Sequence, residues 1–160
     1  MEKVRPERGF MEAAIEEALR SRASGDYAIG AVIVRSDEII ARAVNRSKID
    51  QDATQHAEMV AIREASKKLG NRYLEGAVLY ATHEPCPMCA AAAVWAKMRG
   101  IVFGAKMEDM RDYHLKNGNE EWKWRVIHIS AREVLAKGDP KLEIVEGFMR
   151  DECHTLFHSG

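Results

Sequence analysis

The sequence predicts a three-layer α/β/α domain built on one mixed sheet of about five strands. Three observations carry this reading. Stretches with helical spacing of apolar residues alternate with short β-rich runs along the chain. A strand–helix–strand succession over 78–105 has the length of a right-handed crossover between parallel strands. Ahead of it, two strands flank the polar Arg35-Ser36-Asp37, which makes an antiparallel hairpin in the same sheet.

The elements follow in order. Phe10, Ala14 and Ala18 beside Met11, Ile15 and Leu19 form paired i,i+4 rows of a first helix that ends near Ser24-Gly25. Tyr27–Val34 is a strand, and Gly30 inside it marks close approach of a ligand or of another backbone. Glu38–Val44 is its hairpin partner. Asn45–Ala53 is loop, and Thr54–Leu69 is a helix stopped by Gly70-Asn71. Val78–Thr82 is a short buried strand running into a helix over Pro87–Met98, with Pro87 at the first helical position and Gly100 as C-terminal cap. Ile101–Ala105 is the next strand. Lys106–Lys123 shows no clean period and reads as loop with at most a helical turn. Ser130 and Glu133 have capping-box spacing before a short helix that ends at Gly138. Leu142–Val145 is a last strand and Phe148–Phe157 a last helix.

The chain has 160 residues, 46% hydrophobic and 31% charged, a length and composition that fit one globular domain and exclude a disordered chain. Lys and Arg number 24 against 25 Asp and Glu, a net charge of −1, which argues against a general nucleic-acid coat or a polybasic membrane anchor. The opening MEKVRPERGF lacks the pattern of a signal peptide. The most apolar stretch, Cys89–Ala96, is far short of the roughly 20 residues that span a bilayer. Three cysteines, two of them in Cys86-Pro87-Met88-Cys89, make a poor disulfide framework and a good metal or redox motif. The expectation is a cytoplasmic protein with no membrane partner.

Cys86 and Cys89 lie where a strand gives way to a helix, a position that favours the thiolate. On its own the pair fits a redox couple, half of a structural zinc site, or two inert buried cysteines. His56-Ala57-Glu58 narrows this. His56, Cys86 and Cys89 would give zinc three ligands and leave a fourth position for water, the pattern of catalytic zinc. Zinc lowers the pKa of bound water towards about 7, and Glu58 would take the proton. Residues two apart on a regular helix point about 200° apart, so His56 and Glu58 share a site only if they lie at a helix's first turn. A helix starting at Thr54 or Gln55 permits this.

His-x-Glu followed by Pro-Cys-x-x-Cys resembles the signature of the cytidine deaminase superfamily, whose zinc-bound hydroxide attacks an amine-bearing ring carbon. The resemblance runs from about Phe10 to Ala105 through Ile29–Val34, Asn45, His56-Ala57-Glu58 and Glu84-Pro85-Cys86-Pro87-Met88-Cys89. It is strongest to the branch of bacterial guanine deaminases and tRNA adenosine deaminases, and implies a cytidine-deaminase-like fold over residues 1–160. It also implies a variable insertion over 106–140 and a C-terminal strand and helix over 141–160. By the same resemblance, His56, Cys86 and Cys89 bind Zn²⁺ and Glu58 is the proton carrier. Glu84 is a candidate second proton shuttle, and Asn45 binds the substrate base. The backbone N–H of Ala57 stabilises the developing charge, with that of Cys86, and Trp95 walls the pocket. Relatives of this branch are usually homodimers.

The expected activity is hydrolytic deamination of a free nucleobase or nucleoside, of guanine, guanosine or cytosine type. An alternative is adenosine deamination in a tRNA anticodon loop. It is favoured by the resemblance of Leu142–Gly147 and Asp151-Glu152-Cys153 to the tail of the tRNA enzymes. The longer segment after Ala105 and the lack of excess positive charge weigh against it. A third reading is a non-enzymatic zinc module with Cys153 or His154 as fourth ligand. Trp122-Lys123-Trp124-Arg125 is read as packing against a neighbouring subunit in preference to stacking on nucleic acid.

Overall fold

The computed structural model describes residues 3–158; the ends of the expected domain, residues 1–2 and 159–160, lie outside the described residues. Five strands form one sheet in the order β2-β1-β3-β4-β5. The hairpin β1 (Gly30–Arg35) and β2 (Glu38–Val44) turns through Ser36 and Asp37, both in left-handed backbone, as a two-residue turn matching strand twist requires. Strand β1 also pairs antiparallel with β3 (Val78–His83), and β3 pairs parallel with β4 (Gly100–Ala105). The short β5 (Glu143–Val145) closes the parallel side on β4.

The helices divide between the two faces. Helices α2 (Ala57–Leu69), α3 (Pro87–Trp95) and α5 (Ala131–Lys137) cover one face, over Ile33, Leu79, Ile101 and Phe103. Helix α1 (Arg8–Ala23) and the single turn α6 (Arg150–Cys153) cover the other, over Val32, Tyr80 and Val102, with Met110 and Tyr113 of α4 (Met107–Asn117) packed alongside. The three-layer α/β/α reading holds. Gly30 faces α1, where a Cβ would run into the Ala14 carbonyl and the backbone nitrogen of Ala18. Another backbone, not a ligand, is what demands glycine there.

Several boundaries move for identifiable reasons. Helix α2 starts at Ala57, not Thr54, because Gln55 is held in the loop by its carbonyl, which accepts from Arg46 N–H at 2.9 Å. Helix α3 stops at Trp95 because Lys97 takes the left-handed position at φ +55°. Gly100, expected as the cap, is the first residue of β4 instead. The expected loop over Lys106–Lys123 holds the eleven-residue α4. The first strand begins at Gly30, and the last helix shrinks to four residues.

The contact at Gly30 gives a direct test of the α1–sheet packing. Gly30→Ala has only helix backbone to displace, which puts it at the upper end of overpacking costs, about 3 kcal/mol. Urea unfolding should show the midpoint falling with an unchanged slope.

Candidate active site

The site forms where α2 and α3 begin. His56 is the N-cap of α2, in extended backbone at φ −69° and ψ 150°, and Glu58 is the second helical residue. His56 therefore lies outside the regular helix, which is how it and Glu58 reach one centre. Cys86 is the N-cap of α3, Pro87 opens that helix, and Cys89 follows in its first turn. These two termini emerge at the same end of the sheet because β2 and β3 flank β1 and both run antiparallel to it, β2 leading to α2 through its loop and β3 to α3 directly.

The distances fit a metal. A tetrahedral zinc with bonds of about 2.3 Å to sulfur and 2.0–2.1 Å to nitrogen sets S···S near 3.8 Å and S···N near 3.6 Å. The two Sγ atoms are 3.8 Å apart, and His56 Nδ1 is 3.6 Å from each. Among the described residues this trio is the one cluster of three or more His, Cys, Asp or Glu donors able to hold a metal ion. Cys86 is drawn down to about 4 by the hydrogen bond from Cys89, with His56 adding to it, while Cys89 is held well above its usual range by that sharing and by burial. Glu58 is 4% exposed and its Oε1 has no protein partner; burial pushes its carboxyl up to about 7. An orphaned buried carboxylate oxygen beside three convergent donors fits a centre that holds zinc and a water. Cys153 and His154 do not complete it. Cys153 lies on the opposite face of the sheet against Gly104, and His154 faces Asp109 at 3.8 Å.

A cavity of about 540 Å³ opens onto these residues, within the usual range for a small-ligand site. Asn45, Ser47, His83 and Glu84 line it, with Met107 and Met110 from α4 and Trp124–Ile127 and Ile129 from the segment beyond. His83 bonds Thr82 Oγ1 at 2.8 Å and the Leu156 carbonyl at 3.2 Å, and burial lowers it to about 3, so it stays neutral.

Four expectations change. Glu84 is not a free acid: Oε1 accepts from Met107 N–H at 2.8 Å and Oε2 from Ala131 N–H at 2.9 Å, so one carboxylate caps both α4 and α5. Asn45 is 2% exposed, and its Nδ2 donates to Asp26 Oδ1 at 2.7 Å and Ser47 Oγ at 3.0 Å. Its Oδ1 accepts from Ala57 N–H at 3.3 Å, leaving one lone pair to offer a substrate. The same bond engages the Ala57 N–H, which was expected to face the developing charge. Trp95 does not wall the cavity. It is 81% exposed at the far end of α3, about 9 Å along the axis from Cys89, beside a separate hollow with Ile62 and Tyr73.

Asp26 is the residue that the sequence reading missed. Fully buried, it accepts from Asn45 Nδ2 and from the backbone N–H groups of Tyr27, Lys48 and Ile49 at 2.7–3.0 Å. It fixes the orientation of the Asn45 amide and ties down the loop leading to His56. The Ser24-Gly25 helix stop just before it was its only signal.

The sequence profile of the cytidine and deoxycytidylate deaminase zinc-binding region matches residues 5–105. The chain belongs to this family. The tRNA-specific adenosine deaminase of Bacillus subtilis (strain 168) is 51% identical over 144 residues, 90% of this chain and 81% of that protein. That of Aquifex aeolicus is 44% identical over 96 residues, 60% of this chain and 64% of that protein. A solved structure from studies of A-to-I editing by tRNA:A34 deaminases at the wobble position of transfer RNA superposes with TM-score 0.77. It is 33% identical and covers 94% of this chain and 100% of that one. These similarities make the chain a zinc-dependent hydrolytic deaminase. They also overturn the expectation of a free-base or nucleoside substrate of guanine or cytosine type, because identity to tRNA-specific enzymes extends over nine-tenths of the chain. Among the described residues no helix is long and apolar enough to cross a membrane.

Two substitutions separate the metal site from its support. Cys86→Ala should abolish stoichiometric zinc, read by elemental analysis of the purified protein. Glu84→Gln should keep one zinc per chain yet lower unfolding stability by about 1–3 kcal/mol, since an amide nitrogen cannot accept from a helix N–H. A Glu84→Gln protein of wild-type stability would remove the double cap as an explanation for that residue.

Proposed function

We propose that this chain is a tRNA adenosine deaminase that converts adenosine to inosine in an anticodon loop. The observation that carries this reading is the 51% identity to a tRNA-specific adenosine deaminase, running past the metal site into the C-terminal part of the chain. The reaction is hydrolytic: adenosine and water give inosine and ammonia.

His56, Cys86 and Cys89 would hold the zinc, which supplies activation of a water at neutral pH. Glu58 sits where it can take a proton from the attacking water. It then protonates the ring nitrogen next to the amine-bearing carbon and serves the departing ammonia. Its burial keeps bulk water from that transfer, and the absence of a protein partner on Oε1 leaves this oxygen free for it. Asn45, clamped by Asp26 and Ser47, presents Oδ1 as an acceptor and selects a hydrogen-bond donor on the substrate. An adenosine in duplex could not reach this recessed centre. The target must come from a single-stranded loop, turned out of its stack.

Glu58→Gln tests the assignment. Zinc content and fold should persist, while inosine formation in an anticodon stem-loop should fall by about 10²–10⁴-fold, the usual weight of a general acid–base group. Ammonia release from guanine, guanosine or cytosine without stem-loop turnover would reject the tRNA reading.

A further inference from the structure

The stretch Trp122-Lys123-Trp124-Arg125 has no part in the metal site, yet its second half, Trp124 and Arg125, borders the same cavity. Its two tryptophans are turned inward. Trp122 stacks on His158 with centroids 3.6 Å apart, and Lys48 Nζ lies 4.2 Å from its ring. Trp124 is 4% exposed, in left-handed backbone at φ +48°, packed against Tyr27, His83 and Phe157. Protein already covers both rings. Their expected packing on a neighbouring subunit gives way to an internal role, which is to anchor the chain.

What they anchor is a short span. It starts at the buried Trp124 and ends at Ala131, whose N–H is held by Glu84 Oε2. Between these points, Arg125–Ile129 forms neither helix nor strand. Four of these five residues line the cavity: Arg125, Val126, Ile127 and Ile129. Arg125 is exposed, with no ion-pair or hydrogen-bond partner among the described residues. Ile127 and Ile129 are 59% and 44% exposed. Single exposed aliphatics are ordinary, but two beside an unpaired guanidinium at the mouth of a reaction site make a small amphipathic ledge.

That combination suits single-stranded nucleic acid. A guanidinium binds phosphate and so sets register, while aliphatic side chains support bases that have left their stack. A free base has no phosphate to meet the cation at the mouth. We infer that Arg125–Ile129 is an RNA-docking rim holding the nucleotides that flank the target adenosine. Arg125 binds a neighbouring phosphate, and Ile127 with Ile129 supports an adjacent base. The inference rests on the tRNA reading above and specifies where that substrate is gripped.

The test uses the zinc-loaded full chain with an anticodon stem-loop, measuring inosine formation over a range of KCl concentrations. Arg125→Ala should raise KM about tenfold, the weight of one charge-assisted hydrogen bond, with the effect falling on KM rather than kcat. The slope of log affinity against log salt should shrink by about 0.7, one phosphate contact on a single strand. Arg125→Lys should restore that slope. Ile127→Ser with Ile129→Ser should raise KM and leave the slope alone. Active wild-type enzyme with an unchanged KM and salt slope in Arg125→Ala overturns the rim while sparing the substrate reading. No turnover of the stem-loop by wild type overturns both. A change of oligomeric state in the double serine variant at constant KM would make the ledge a protein interface and end the proposal.

Discussion

The organising constraint is that three donor atoms must stand 3.6–3.8 Å apart on backbone belonging to two different helices. Each helix turns about 100° per residue, so a shift of one position at either start would swing a ligand off the centre. The chain meets this by placing His56 and Cys86 at N-caps, where backbone is extended and the side chain leans past the helix end. The positive end of each helix dipole then faces the centre, which favours thiolate over thiol. Parallel pairing of β3 with β4 holds α3 in its crossover, and the antiparallel β1–β2 pair brings the α2 terminus alongside. The sheet order matters to function chiefly because it fixes these two helix starts.

How much of this was legible in the sequence depended on how far each signal lay from the residue it acts on. The Gly70 stop, Pro87 at a first turn and the Ser130–Glu133 capping box all have their partners within a few residues, and the structure agrees with each. The metal ligands were legible because cysteine and histidine spacing is itself chemical information. Helix α4 was not. Its N-terminal N–H is held by Glu84, 23 residues away, and its few inward side chains, Met110 and Tyr113, are too sparse to set a period. Asp26 was invisible for the same reason: three of its four partners lie 19 to 23 residues downstream. Glu84 and Asn45 were noticed, but their structural duties were not. Motif position suggested a proton shuttle for Glu84 and a base contact for Asn45, and gave no sign that most of their hydrogen-bonding capacity goes to neighbouring protein groups.

Net charge is a poor guide to such a site for a comparable reason. A total of −1 counts every exposed residue equally, yet attraction to a phosphate decays within a Debye length of about 8–10 Å at ordinary ionic strength. Many cations here are already committed: Arg42 to Glu16 and Glu17, Arg46 to Asp50, Arg132 to Glu146, and Arg150 to Asp109. What an RNA loop would meet at the cavity mouth is Arg125, which is not. Whole-chain charge speaks to indiscriminate coating of nucleic acid and says little about one loop held at one pocket.

Four consecutive residues at the end of β3 tie these levels together. His83 stays neutral and braces the C-terminal segment through the Leu156 carbonyl. Glu84 grips the first N–H of α4 and of α5, and Pro85 leads to the zinc ligand Cys86. The carboxylate that pins both ends of the 107–131 segment is thus two residues from the metal. That proximity separates two tasks mechanically. The segment between the pinned ends can change length and side chains, and so the substrate it admits, while its attachment points stay in register with the zinc centre. Loops on a rigid scaffold commonly carry such variation. Here the scaffold is the end of a strand, from which Glu84 holds the cover and Cys86 the metal site within one short run of chain.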